Sequence, residues 1–244
     1  MSRETVDRET WLATRTELLK TEKALTRVTD RVATARRALP RVRVEADYRF
    51  EGPDGPLGLF DLFDGHSQLA VYHFMFAPDW AEGCPICSFW ADNLDRLVPH
   101  LAARDVALVL VSNAPVSKLE AYRRQMGWAM PWVSAVDGAF SRDMGVTFPP
   151  DEIAAGDATY NYQRGGAPGA EAPGFSTFER DADGSVYHCY SAYARGLEPL
   201  NAGYGLLDLM PHGRNEADLP FPMGWVRRQP RAGSPDKDPC PGTA

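Results

Sequence analysis

Glu82-Gly83-Cys84-Pro85-Ile86-Cys87-Ser88-Phe89-Trp90 decides how the rest of this 244-residue chain is read. Immediately before it runs the most apolar segment, Leu69-Ala70-Val71-Tyr72-His73-Phe74-Met75-Phe76-Ala77-Pro78. That segment is rich in β-branched and aromatic residues and is closed by a proline, so it reads as a buried strand. After the cysteines, Phe89, Trp90, Leu94, Leu97, Val98 and Leu101 recur at helical spacing. The two cysteines therefore fall where a strand meets a helix N-terminus. Free backbone N–H groups and the positive end of the helix dipole stabilise a thiolate there. Pro85 suits the first turn, where its missing N–H would have had no partner.

A C-x-x-C in this strand-before, helix-after setting reads as a thioredoxin-like redox pair. Two other readings stand beside it: a cysteine pair kept only for packing, and half of a metal site. The metal reading is short of ligands. Only Cys189 and Cys240 remain as thiols, no second C-x-x-C follows, and Asp79 and Glu82 suit a closed structural zinc site poorly. No metal and no cofactor are expected.

Composition narrows the class. With 26 basic and 33 acidic residues the formal net charge is −7, and no basic block is present, which argues against nucleic-acid and anionic-membrane partners. Four unevenly placed cysteines do not make the disulfide framework of a small secreted scaffold. The first ten residues carry no apolar core of a signal peptide, and the longest apolar run is too short to span a bilayer. A cytoplasmic protein is the expectation.

Along the chain, Thr5 to Leu39 is charged and helix-favouring, with Trp11, Leu18, Leu25, Val28, Val32, Ala35 and Leu39 on one narrow stripe. The expectation is one long amphipathic helix, ending before Pro40 and covered either by the main domain or by the same helix of a second chain, as a homodimer. Val42 to Phe50 and Leu57 to Phe63 read as strands, with turns at Gly52 to Pro56 and at Asp64-Gly65. The cysteine helix is expected to stop or bend at Pro99, near His100. Val106 to Val111 is a second buried strand, parallel to the first through a right-handed crossover. Ser117-x-x-Glu120 reads as a capping box opening a helix that Gly127 closes. Trp132 to Val136 reads as a strand and Phe140 to Val146 as a short helix. Pro149 to Pro173, rich in Gly, Pro and Ala, reads as a long loop or insertion. Phe175 to Arg180 and Ser185 to Tyr190 flank Asp181-Ala182-Asp183-Gly184 as a hairpin. A last helix is expected over Tyr204 to Met210.

The predicted organisation is thus a helix over residues 1–41, a domain over 42–226 with an insertion near 147–173, and a disordered tail over 227–244 that carries Cys240. The fold class is α/β: a thioredoxin-like mixed sheet with helices on both faces, plus the long N-terminal amphipathic helix. The segment after the second buried strand also resembles the peroxiredoxin branch, although no Thr-x-x-Cys motif is present.

Several motifs resemble a bacterial family within the thioredoxin-like superfamily, described only as a domain of unknown function or as thioredoxin family protein. They are Arg36-Arg37-Ala38-Leu39-Pro40, Asp47-Tyr48-x-Phe50, Gly83-Cys84-Pro85-x-Cys87-Ser88-Phe89-Trp90-x-Asp92, Met126-Gly127-Trp128, Trp132-Val133-Ser134 and Tyr190-Ser191-x-Tyr193-Ala194-Arg195-Gly196. The resemblance runs over roughly residues 5–220 and brings no settled reaction. Asn113 stands where the resemblance implies an arginine, and Cys189 where it implies a threonine.

The expected activity is that of a thiol–disulfide oxidoreductase or thiol-dependent reductase, with Cys84 as an exposed nucleophile and Cys87 as the resolving thiol. Its substrate would be a small-molecule or protein disulfide. Trp80 and Trp128, in predicted loops or helix ends, are candidates for a substrate-facing wall, whereas Trp90 and Trp132 read as core. His188 and Arg195 complete the candidate substrate-binding set, each with a plain alternative: a hydrogen-bonded strand histidine and an arginine paired to a nearby acid. Cys189 reads first as a small apolar filler and second as a third redox thiol. The rival class is a thioredoxin-fold module that binds a small ligand or a partner without redox turnover.

Overall fold

The computed structural model describes residues 4–227, and the chain divides between Arg41 and Val42 into two compact units. The first is a single helix, α1 (Arg8–Arg37). Asp7 caps it, its carboxylate accepting the Thr10 N–H at 2.8 Å, while Arg36 and Arg37 sit in the last turn, favourably for the helix dipole. Not one residue of α1 is buried; Leu25, midway along the stripe, keeps 65% of its surface.

The second unit begins with β1 (Val42–Arg43), β2 (Arg49–Gly52) and β3 (Gly55–Gly58). The expected single strand from Val42 to Phe50 is two strands, which join opposite edges of the sheet: β1 pairs with the last strand, β2 with β3. The expected strand from Leu57 to Phe63 also ends early. Asp61 accepts the Gly58 N–H at 2.8 Å, and a 3-10 turn over Asp61–Phe63 then buries Leu62 and Phe63. Local side-chain bonding has overridden the apolar pattern.

Next come β4 (Gln68–His73), α2 (Pro85–Asp95), α3 (Val98–Ala102) and β5 (Val106–Ser112). Pro99 does not stop the cysteine helix: α2 ends at Asp95, and Pro99 lies in the first turn of α3, where a proline costs nothing. The next helix, α4 (Val116–Met126), has no capping box; Pro115 occupies the N-cap without a side-chain bond, and Glu120 pairs with Arg123 at 2.8 Å instead. Gly127 closes α4 in the left-handed region at φ 72°, as expected.

The chain continues through β6 (Trp132–Ser134), α5 (Ala139–Asp143), α6 (Pro150–Ala155), β7 (Thr159–Tyr160), β8 (Gln163–Arg164), β9 (Gly174–Arg180), β10 (Val186–Tyr193) and α7 (Ala202–Leu209). The stretch read as a loop or insertion, Pro149 to Pro173, therefore carries a helix and a small hairpin. Phe148, Ala158, Tyr160 and Ala172 anchor it in the core. Cys240 and the tail expected over 227–244 lie outside the described residues but for Arg227.

Among the described residues one eight-stranded sheet runs in the order β1-β10-β9-β4-β5-β6-β2-β3. β4 and β5 are parallel, with Val71 opposite Val109, while β9 runs antiparallel to β4 and β10 antiparallel to β9. That is the strand order and direction of a thioredoxin-like sheet. β4 from Leu69 to Tyr72 and β5 from Val106 to Val111 are apolar because both faces are covered. Leu69, Val71 and Val109 enter one core with Phe140 and Phe178; Ala70, Tyr72, Leu108 and Leu110 enter the other with Cys84, Cys87 and Trp90. No helix among the described residues is long and apolar enough to cross a membrane.

Candidate functional site

Cys84 is the N-cap of α2 and Pro85 its first residue. The Cys84 sulfur accepts the backbone N–H of Cys87 at 3.5 Å, while its carbonyl accepts both the N–H and the hydroxyl of Ser88, at 3.0 and 2.9 Å. The Cys84 N–H in turn donates to Met75 O at 3.1 Å, tying the helix start to the segment just after β4. Gly83 is needed for this approach. A Cβ there would lie 2.8 Å from the Phe74 ring and 3.1 Å from Tyr122.

These contacts separate the two thiols. Hydrogen bonding from the Cys87 side chain, then from the backbone N–H groups of Cys87 and Ile86, lowers the Cys84 pKa against the opposing effect of burial. Burial pushes the Cys87 thiol well up. The expected exposure of Cys84 is corrected, however: only 9% of its surface is open, and 1% of that of Cys87, because Phe74, Tyr122 and Trp90 share the same core. Both thiols are free.

Of the other predicted residues, Trp80 packs, partly buried, against this core, its carbonyl accepting Lys118 Nζ at 3.0 Å. Trp128 is not an open wall. It is buried, donates its indole N–H to Asp92 at 2.8 Å, and packs its ring against Phe74, Tyr122 and Trp132. Trp90 and Trp132 are core, with indole N–H groups donating to Leu197 O and Ser112 Oγ.

His188 belongs to the core on the other side of the sheet, against Phe178. There His188, Ser191, Ser176 and His73 form a hydrogen-bonded chain across β10, β9 and β4, with successive contacts of 2.8, 2.8 and 2.9 Å. A bulge between His188 and Tyr190 lets His188 and Ser191 share a face despite their odd spacing. Burial holds the His73 pKa down at about 3. Half-buried Cys189 sits in that bulge.

Arg195 is exposed and pairs with Glu198 at 2.7 Å. It lies on the rim of a cavity of about 630 Å³ that Ile86, Tyr72 and Trp90 also line, so the structure does bring it toward the C-x-x-C.

Glu171 was not among the predicted site residues. It is buried, accepts Asn113 Nδ2 at 3.0 Å, and burial raises its pKa to about 7; its charge in turn raises the Cys84 pKa. Asn113 also donates to Thr147 and accepts from Ser141, at 2.8 and 2.9 Å. A neutral amide thus holds this carboxylate, where an arginine would have held it ionised. Nothing in a Gly/Pro/Ala-rich stretch marks such a residue; only the bridge between Thr147 and Glu171 brings it in. Among the described residues no cluster of three or more His, Cys, Asp or Glu is arranged to hold a metal ion.

Residues 1–231 match the family model described as "Bacterial protein of unknown function (DUF899)". The chain belongs to this family. No curated protein matches the DUF899 chain. Among solved structures it is similar to Peroxidoxin BcpB from Mycobacterium tuberculosis, at 18% identity over 67% of this chain and 94% of that one, with a TM-score of 0.46. It is also similar to a Xanthomonas campestris Peroxiredoxin Q mutant, at 15% identity over 70% and 97% with a TM-score of 0.48. A third is Plasmodium yoelii thioredoxin peroxidase I, at 15% identity over 74% and 92% with a TM-score of 0.40.

Proposed function

We propose that this DUF899 protein is a thiol–disulfide oxidoreductase or thiol-dependent reductase working through Cys84 and Cys87. The observation that carries the reading is the Cys84 sulfur at the N-cap of α2, accepting the Cys87 N–H, with its pKa lowered while that of Cys87 is raised. One thiol is primed to attack and the other is kept protonated until it is needed.

In the reaction, the Cys84 thiolate attacks one sulfur of a disulfide R–S–S–R′, forming a mixed disulfide and expelling R′S⁻, which takes up the proton that Cys84 gave up. Cys87 then attacks Cys84 Sγ, passing its proton to the departing RS⁻. The substrate gains two electrons and leaves as two thiols, and the Cys84–Cys87 disulfide is reset by an external thiol reductant. Pro85 restrains the turn between the sulfurs. The near-closed surroundings of Cys84 favour a small-molecule disulfide over one on a folded protein.

Alkylation followed against pH in the wild type, Cys84→Ser and Cys87→Ser tests this. Cys84 should label first at slightly acid pH, and Cys87→Ser should trap a mixed disulfide that Cys84→Ser cannot form. Slow, equal labelling of both thiols, with no disulfide after mild oxidation, would remove the redox reading.

A further inference from the structure

A cavity lies beside α2; neither Cys84 nor Cys87 lines it, but Ile86, which stands between them, does. Its volume, about 630 Å³, suits a small organic molecule. Tyr72, whose phenol interacts with the Cys87 thiol, lines it as well. Trp90, Leu197, Tyr204 and Met223 give it apolar walls.

Its charged rim is already committed. Arg195 and Arg214 both donate to Glu198, at 2.7 and 2.9 Å, and Arg214 also pairs with Asp208 at 2.7 Å while lying over the Tyr204 ring at 4.2 Å. Glu216 accepts three donors, the Tyr204 hydroxyl at 3.1 Å, the Met223 N–H at 2.9 Å and the Trp225 indole N–H at 2.6 Å. An ionic ligand would have to break one of these pairs and leave its partner uncompensated, whereas an uncharged one would bury apolar surface at no such cost.

We infer that this cavity holds the apolar body of a small, uncharged, disulfide-bearing substrate while its oxidised sulfur is presented to Cys84. The inference rests on the redox reading above and adds the substrate class. The covalent step is the exchange already written: the thiolate forms the mixed disulfide, and one uncharged thiol leaves.

Two measurements separate the inference from its foundation. In Cys84→Ser, which cannot react, the neutral fluorescent amine N-phenyl-1-naphthylamine should bind saturably, one per chain, and Ile86→Trp placed in that background should weaken binding about tenfold by filling the cavity. In the wild type, uncharged 2,2′-dipyridyl disulfide should react with Cys84 at least about tenfold faster than dianionic 5,5′-dithiobis(2-nitrobenzoate), each rate taken relative to a free thiol. Reaction at Cys84 without charge preference, together with no probe binding, overturns the cavity assignment and leaves the redox reading standing. Probe binding with an inert Cys84 overturns the redox reading and, with it, the assignment of the occupant as a substrate.

Discussion

Two helices of this chain carry an apolar stripe and use it differently. α1 runs for 30 residues and buries none of them; α2 runs for 11 and buries Cys87, Ser88, Trp90, Ala91, Leu94 and Asp95. The stripe on α1 is thin, with Trp11, Leu18, Leu25 and Val32 recurring every seventh residue among charges. That period suits a second helix coiled alongside. On α2 the apolar residues are broad and aromatic, and the helix lies on a sheet that is apolar on that face. Amphipathicity in sequence announces that a face wants cover; the width of the stripe tells what kind of cover it suits.

The largest effect should come from α2. Trp90→Ala leaves a cavity in a packed core and strands Leu197 O without its donor, so about 3–5 kcal/mol of stability should be lost in denaturant unfolding. Leu25→Ala on α1 should shift the same transition by no more than about 0.5 kcal/mol. Equal losses at the two positions would break the comparison.

Glu171 sharpens it at the end of the sheet where α2 begins. Its folded pKa of about 7 lies above the ordinary 4.5, so its contribution to stability is fully present below about pH 4.5 and is lost as pH rises through 7. Glu171→Gln should therefore stabilise the protein at pH 8 by on the order of 3 kcal/mol and change little at pH 4. Removing the charge should also lower the Cys84 pKa and speed its alkylation near neutral pH. A constant offset at all pH values would show that the Glu171 pKa is the same in the folded and unfolded states.

The smallest effect on folding, and the largest on assembly, is expected at α1. We propose that its stripe pairs with the same helix of a second chain. Removing residues 1–39, or changing Leu25 to Glu, should then halve the mass in light scattering while leaving the domain's melting nearly unchanged. If neither changed mass nor melting, α1 would be an appendage with no partner.

The sheet and the cysteine helix were legible in the sequence because both are announced locally: two strongly apolar runs, and a proline between cysteines where a strand gives way to a helix. Other features depend on residues far apart in the chain. Trp128 was expected in a wall because it follows a helix-ending glycine, yet three aromatic rings converge on that spot, Phe74 just past β4, Tyr122 of α4 and Trp132 of β6. Glu171 and the cavity were illegible for the same reason, since one takes its character from Asn113 and the other is built from segments more than a hundred residues apart. Over 149–173, expected as a loop or an insertion, the stretch carries short elements because Gly and Pro punctuate them as readily as they abolish them.

The chain of hydroxyls and imidazoles through His188, Ser191, Ser176 and His73 works as a lock and key for strand alignment. Sliding β10 by one residue along β9 would turn Ser191 and His188 away and leave the buried Ser176 hydroxyl with His73 as its one remaining partner in the chain. The bulge at Cys189 is the notch that makes the key fit. Apolar packing alone tolerates a slipped register far better than a row of polar atoms with nothing to bind, so this small detour in one strand keeps the antiparallel half of the sheet in a single alignment.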